Sequence, residues 1–186
     1  DVYKRQVLLP KDYLRLWLTG ELLSDLSDSA GTSWLDTGAR RWSARMLEKT
    51  GLDETAMPGL VEGTEVAGRL RDELAHELGL PAGIVVAGGA GDNAASACGV
   101  GVTQSGTGFV SLGTSGVLFT PSRGYEPAPE TALHTFCHAI PGLWHHMGVT
   151  LSAAGSLEWL AGVVGQTPQT LAGEIEQAPD EASRLL

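Results

Sequence analysis

Between Gly83 and Gly101 the chain reads GIVVAGGAGDNAASACGVG. A β-branched apolar run ends in glycines, and Asp92 and Asn93 stand side by side where a helix of small residues is expected to begin. Two readings fit Asp92. It caps the helix by accepting from free backbone N–H groups, or it is a carboxylate whose direction is fixed by a rigid strand-to-helix turn. In the second reading the glycines let a ligand approach the backbone, Asp92 accepts a proton from an alcohol, and Asn93 hydrogen-bonds a neighbouring hydroxyl. The residues alone leave both readings open. A third is weaker. Gly89-x-Gly91-x-x-Ala94 nearly matches the dinucleotide fingerprint, but Asp92 would then set a negative charge beside a pyrophosphate. The acidic residue that should follow about 20 positions on is also missing.

The second feature with chemistry in it is SLGTSGV, Ser111–Val117. Gly113, Thr114 and Ser115 at a hairpin tip would expose backbone amides and two hydroxyls, a neutral cradle for phosphate oxygens. Taken alone, the stretch reads as an ordinary hairpin turn. An alcohol-activating carboxylate and a phosphate-binding turn in one chain together suggest phosphoryl transfer, which needs positioning, charge neutralisation and a base for the attacking hydroxyl. His134, His138, His145 and His146 cluster with Cys137, but their spacing lacks a metal-ligand pair with supporting carboxylates, so they read as strand histidines and no metal site is expected. Trp144 and Trp159 read as packing residues rather than a sugar-stacking platform.

These groups need elements to hold them. LLPKDYLRLWLTG reads as a helix with Pro10 in its first turn, Gly20 as its stop and Leu14, Trp17 and Leu18 as its inward stripe. SDLSDSAGTSWLDTGARRWS reads as a structured loop, and a helix follows from a Ser43 cap to Gly51. Short extended pieces are expected over 58–68, a helix ending at Gly79, and GIVVAGG as a short buried strand. Beyond Gly101 the texture turns to hairpins, around Gly113–Gly116 and around Pro141-Gly142, before a helix capped by Ser152 and a further helix from TPQTL. The change near Val102–Gly106 marks the expected domain boundary.

Hydrophobic residues make up 42% of the 186, enough for a core, and the formal charge of −10 without a basic patch argues against nucleic acid or an anionic membrane as partner. Cys98 and Cys137 are expected to be buried free thiols in a reducing cytoplasm. No apolar run reaches membrane-spanning length. Asp1–Gln6 reads as a non-native leader, and DEASRLL stops within a pattern, so a piece of a longer protein is expected.

Five stretches, LLPKDYLRLWLTGE, SDLSDSAGTSWLDT, VVAGGAGDNAASACGVG, VSLGTSGVLF and ALHTFCHAIPGLWHHMGVTLSAAGSLEWL, occur in order over nearly the whole chain after Gln6. Together they resemble the middle of the FGGY carbohydrate kinases, and LLPKDYLRL with SDxSDxxGTxWLD resembles the branch that acts on D-xylulose. The resemblance implies an α/β fold of the actin-like ATPase, ribonuclease-H-like type. It implies residues 7–102 as the end of the sugar-binding domain and 103–186 as the start of the ATP-binding domain. It further implies ATP and Mg2+ as cofactors, a small sugar as substrate, and allows a homodimer. Asp92 corresponds to the catalytic base and Asn93 to a substrate contact, and Gly113, Thr114 and Ser115 to a phosphate-binding turn; the Ser24–Asp36 loop carries no catalytic role. One departure is GGAGDNA, where many relatives read GGGDNA. With the first phosphate loop expected upstream, the chain alone is expected to be inactive.

Overall fold

A computed structural model describes residues 6–177. The stretch expected to be a non-native leader lies almost wholly outside these residues. In chain order the elements are α1 (Pro10–Thr19), β1 (Leu23–Asp25), α2 (Leu26–Ser29), β2 (Leu35–Asp36), β3 (Arg41–Trp42), α3 (Ala44–Lys49), β4 (Gly59–Val61), β5 (Val66–Arg69), α4 (Asp72–Leu78), β6 (Val85–Ala87), α5 (Asp92–Gly99), β7 (Phe109–Leu112), β8 (Gly116–Ser122), β9 (His134–Cys137), β10 (Trp144–Thr150), α6 (Ala154–Val164) and α7 (Pro168–Gln177). Three two-stranded sheets pair β1 with β4, β2 with β3 and β5 with β6, and a four-stranded sheet runs β7-β8-β10-β9. The β1–β4 pair is parallel, with Leu23 opposite Gly59.

The chain divides into two compact units. The first holds the described residues through Phe109 together with Phe119–Met147, and the second holds Val110–Leu118 and the residues from Gly148 on. In the first, Leu26, Ala30, Leu35 and Cys137 form a buried cluster with Trp42, Leu60, Phe136 and Trp144 packed on it. A smaller cluster joins Leu70, Leu74 and Ala75 to Leu18.

Helix starts and stops follow local chemistry. Pro10 opens α1, and Gly20 closes it in the left-handed region. The Ser43 side chain accepts from Met46 N–H at the start of α3. Four expectations need correction. First, α1 turns Leu14 and Trp17 outward and buries Asp12 and Arg15 instead, because those two form an ion pair with further backbone partners on the inner side. Second, β6 is not a buried strand. Val85 is exposed, and among the described residues the strand pairs only with β5. Third, Cys98 is exposed because α5 turns Ala94 and Ala97 inward, so only Cys137 is a buried thiol. Fourth, Ala153 rather than Ser152 precedes the first turn of α6, and Trp159 on that helix is 70% exposed, not packed.

Candidate active site

Asp92 is the first residue of α5, and Gly91 occupies the cap position. Capping therefore does not account for Asp92. Its carboxylate instead accepts from its own neighbour, Oδ1 lying 2.7 Å from Asn93 N and 3.1 Å from Asn93 Nδ2. The side chain is exposed and lines a cavity of about 160 Å³ with Asn93, Ser27, Asp28 and His145. A negative group at a helix N-terminus is favoured by the free N–H groups and the dipole.

The glycine turn before Asp92 is fastened from below. Arg15, 3% exposed, donates Nη1 to Asp12 Oδ1 at 3.1 Å and to the Leu23 carbonyl at 2.6 Å, and Nη2 to the Gly88 carbonyl. Gly88 has to be glycine, because a Cβ there would collide with the Glu62 carbonyl oxygen, while Gly89 takes φ +78°, the left-handed region. On the other side, Gly91 N–H donates to Ser27 Oγ at 3.0 Å. Ser27 Oγ in turn donates to Asp25, whose Oδ2 also accepts from Ser27 N and Asp28 N and caps α2. Asp25 is fully buried and pairs through Oδ1 with Lys11. Lys11 also lies 3.4 Å from Asp12 and 3.8 Å from Asp28.

Lys11, Asp12, Arg15, Asp25, Ser27 and Asp28 thus form the support of the Asp92 turn. Sequence reading assigned the Ser24–Asp36 loop no catalytic role and did not connect it to the turn. The signal was present in the alternation of Ser and Asp, which is costly inside a protein unless the groups satisfy each other. Burial raises the Asp28 pKa; Lys11 opposes this, and the carboxylates of Asp25, Asp12 and Asp92 push the same way as burial.

His145 lines the cavity from β10, opposite Phe136 in the strand register. Burial, with His138 and His146 nearby, pushes its pKa down to about 3, so the ring is neutral. Among the described residues, no group of three or more His, Cys, Asp and Glu side chains is placed to hold a metal ion.

In the second unit, Gly113, Thr114 and Ser115 form the exposed turn between β7 and β8. Gly113 N–H donates to the Ser115 carbonyl at 2.9 Å, and the Gly113 and Thr114 carbonyls accept from Ala154 N–H at 2.9 Å and Ala153 N–H at 2.7 Å. The carbonyls, which would repel an anion, are thereby engaged by the start of α6. Gly116 is packed tightly, since a Cβ there would stand 2.8 Å from Thr150 Cγ2. A broader depression, about 860 Å³, lies elsewhere, between the end of α1, β5 and the start of α4, and none of the expected site residues lines it.

The family described as the FGGY family of carbohydrate kinases, N-terminal domain, matches residues 3–99. A xylulose kinase of Klebsiella pneumoniae is 51% identical over 178 residues, 96% of this chain and 37% of that protein. The chain therefore spans little more than a third of this relative's length. Among solved structures, the crystal structure titled a xyloylose kinase from Brucella ovis superposes with a TM-score of 0.88 at 68% identity, over 91% of this chain and 35% of that one. A gluconate kinase from Lactobacillus acidophilus superposes with a TM-score of 0.81 at 23% identity, over 91% of this chain and 35% of that one, and so shares the fold. The α/β architecture is accordingly a portion of the actin-like ATPase fold, and the chain belongs to the FGGY family of carbohydrate kinases.

Proposed function

We propose that this chain is the central portion of an enzyme that transfers the γ-phosphoryl group of ATP to D-xylulose, giving D-xylulose 5-phosphate and ADP. The observation that carries the reading is the placement of Asp92. An exposed carboxylate opens a helix beside a cavity, on a turn held by one buried and one half-buried ion pair. Asp92 takes the proton of the sugar's primary hydroxyl as its oxygen attacks phosphorus, while Asn93 holds an adjacent hydroxyl. The bond broken is that between the γ-phosphorus and the bridging oxygen of ADP.

Gly113, Thr114 and Ser115 bind phosphate oxygens of ATP. Their exposure and the engagement of the turn's carbonyls support that role. Mg2+ supplies charge neutralisation through the nucleotide rather than through residues of this chain. The family's sugar-binding domain ends near residue 102 and its ATP-binding domain begins near 103. The activity belongs to a cytoplasmic polypeptide of the relatives' length, a homodimer in one arrangement, and not to these 186 residues alone.

The test is an assay of the complete enzyme with Mg-ATP against D-xylulose, D-ribulose, gluconate and glycerol. D-xylulose is expected to give the highest kcat/KM. Asp92→Asn is expected to lower kcat about 10²- to 10⁴-fold with D-xylulose binding retained. Full activity in that variant would refute the role of Asp92, and preference for another acceptor would refute the substrate.

A further inference from the structure

Arg40 holds a backbone conformation that disfavours side chains. Its φ is +54°, in the left-handed region. A residue stays there only where its surroundings impose it, and such strain gathers at functional sites. Here the guanidinium makes the imposing contacts. Nη2 donates to both Glu62 carboxylate oxygens, at 2.7 and 2.8 Å, and Nη1 donates to the Leu143 carbonyl at 3.2 Å. The group also lies 4.9 Å from the centre of the Trp144 ring, whose indole N–H is fixed on the Thr37 carbonyl at 2.9 Å. One side chain thereby joins the end of β4 to the hairpin of β9 and β10.

Glu62 begins the turn that grips the glycines before Asp92. Gly88 N–H donates to the Glu65 carbonyl at 2.9 Å, and Gly89 N–H to the Gly63 carbonyl at 3.0 Å. Gly63 has no room for a side chain, since a Cβ would stand 2.6 Å from the Ala139 carbonyl oxygen and 2.7 Å from that of Gly89. The 62–65 turn is thus wedged between the hairpin and the glycines, and a shift of Glu62 is passed to Gly88 and Gly89 through backbone contacts.

We infer that Arg40 is a positioning residue: by tying Glu62 to the β9–β10 hairpin, it holds the 62–65 turn where Gly88 and Gly89 aim Asp92 at the acceptor hydroxyl. The inference rests on the proposed role of Asp92 as base, and adds a second hold on its turn beside that of Arg15. Arg40 touches no reactant. It acts only through the direction of the carboxylate.

The experiment is a double-mutant cycle on the complete enzyme with D-xylulose and Mg-ATP, comparing the wild type, Arg40→Gly, Asp92→Asn and the two substitutions together. Glycine suits a φ of +54°, so Arg40→Gly removes the side chain without straining the turn. It is expected to lower kcat about 10- to 100-fold while KM for D-xylulose and for ATP changes less than about 3-fold. In the Asp92→Asn background the same substitution is expected to change the residual rate less than about 2-fold, because no base is left to aim. A merely structural role lowers the active fraction by the same factor in both backgrounds, so equal factors overturn the inference. An Arg40→Gly enzyme with wild-type kcat also overturns it, and both results leave the role of Asp92 standing. Full activity of Asp92→Asn overturns that role and the inference together. If Arg40→Gly does not fold, Glu62→Gln, which keeps the shape and removes the charge, takes its place in the cycle under the same criteria.

Discussion

The two units solve the burial problem in opposite ways. In the first, the interior beneath the Asp92 turn is built of charges, with Asp12, Arg15 and Asp25 each at most 3% exposed, and apolar clusters lie beside them. In the second, apolar side chains face outward. Leu151, Leu112 and Ile175 are 87%, 76% and 69% exposed, and Ala161 is its one buried apolar side chain among the described residues. A charged interior costs desolvation and is stable only when every partner is present, so it fixes a single geometry. An apolar exterior leaves the free energy of burial to be gained from another surface. The first unit is specified from within, and the second leaves apolar surface uncovered among the described residues.

This contrast can be broken by substitution. The largest effect after loss of Asp92 is expected from Asp25→Ala, which removes the cap of α2 and strands Lys11. Denaturant unfolding is expected to show a loss of about 3 kcal/mol, and a loss below about 1 kcal/mol would mean that the charged interior contributes little. Gly88→Ala is expected to fold poorly as well, since its Cβ would meet the Glu62 carbonyl, a backbone atom with little freedom to move.

Acid separates the units next. All five histidines belong to the first unit. His145 has a folded pKa of about 3, below its ordinary 6.5, so the unfolded chain takes up the proton first. Its contribution is complete above pH 6.5 and is lost as pH falls toward 3, at up to about 1.4 kcal/mol per pH unit. Burial shifts His138 in the same direction. Fluorescence of the first unit's tryptophans, followed between these pH values with Trp159 replaced by Phe, is expected to report the loss. A curve flat across that window would show that the imidazoles are not buried in solution. The smallest effect is expected from Leu151→Ser, which should change stability by no more than about 0.5 kcal/mol while reducing light scattering of concentrated samples.

Much of the local structure around the candidate site was legible in the sequence. The Asp92-Asn93 pair after glycines marked the helix start correctly, and the GTSG stretch marked the hairpin tip. The failures share a cause. Helical spacing of Leu14, Trp17 and Leu18 identifies a face but not which side of the helix meets the rest of the chain. Here Asp12 and Arg15 won the inner side through partners 8 and 73 residues away, which no local pattern reveals. The apolar run at 84–87 suggested burial for the same local reason, yet it lies at the margin of a two-stranded sheet. His145 reads in the sequence only as a strand histidine, because the burial of its ring is a property of the packed strand, not of its neighbours in sequence.

The Ser27 hydroxyl has one proton to give. It accepts from Gly91 N–H and gives its own to Asp25, which faces the Lys11 ammonium. Every proton along this line therefore points the same way, from the turn toward the buried carboxylate, and the line has a polarity like that of a one-way rail. A substituent of the same size but the wrong sense cannot join it: alanine leaves both ends open, and an amide at position 27 is too long for the gap. Threonine alone preserves the direction. The aim of Asp92 is in this way set by the orientation of a hydrogen atom two residues from Lys11's partner rather than by the shape of an apolar surface.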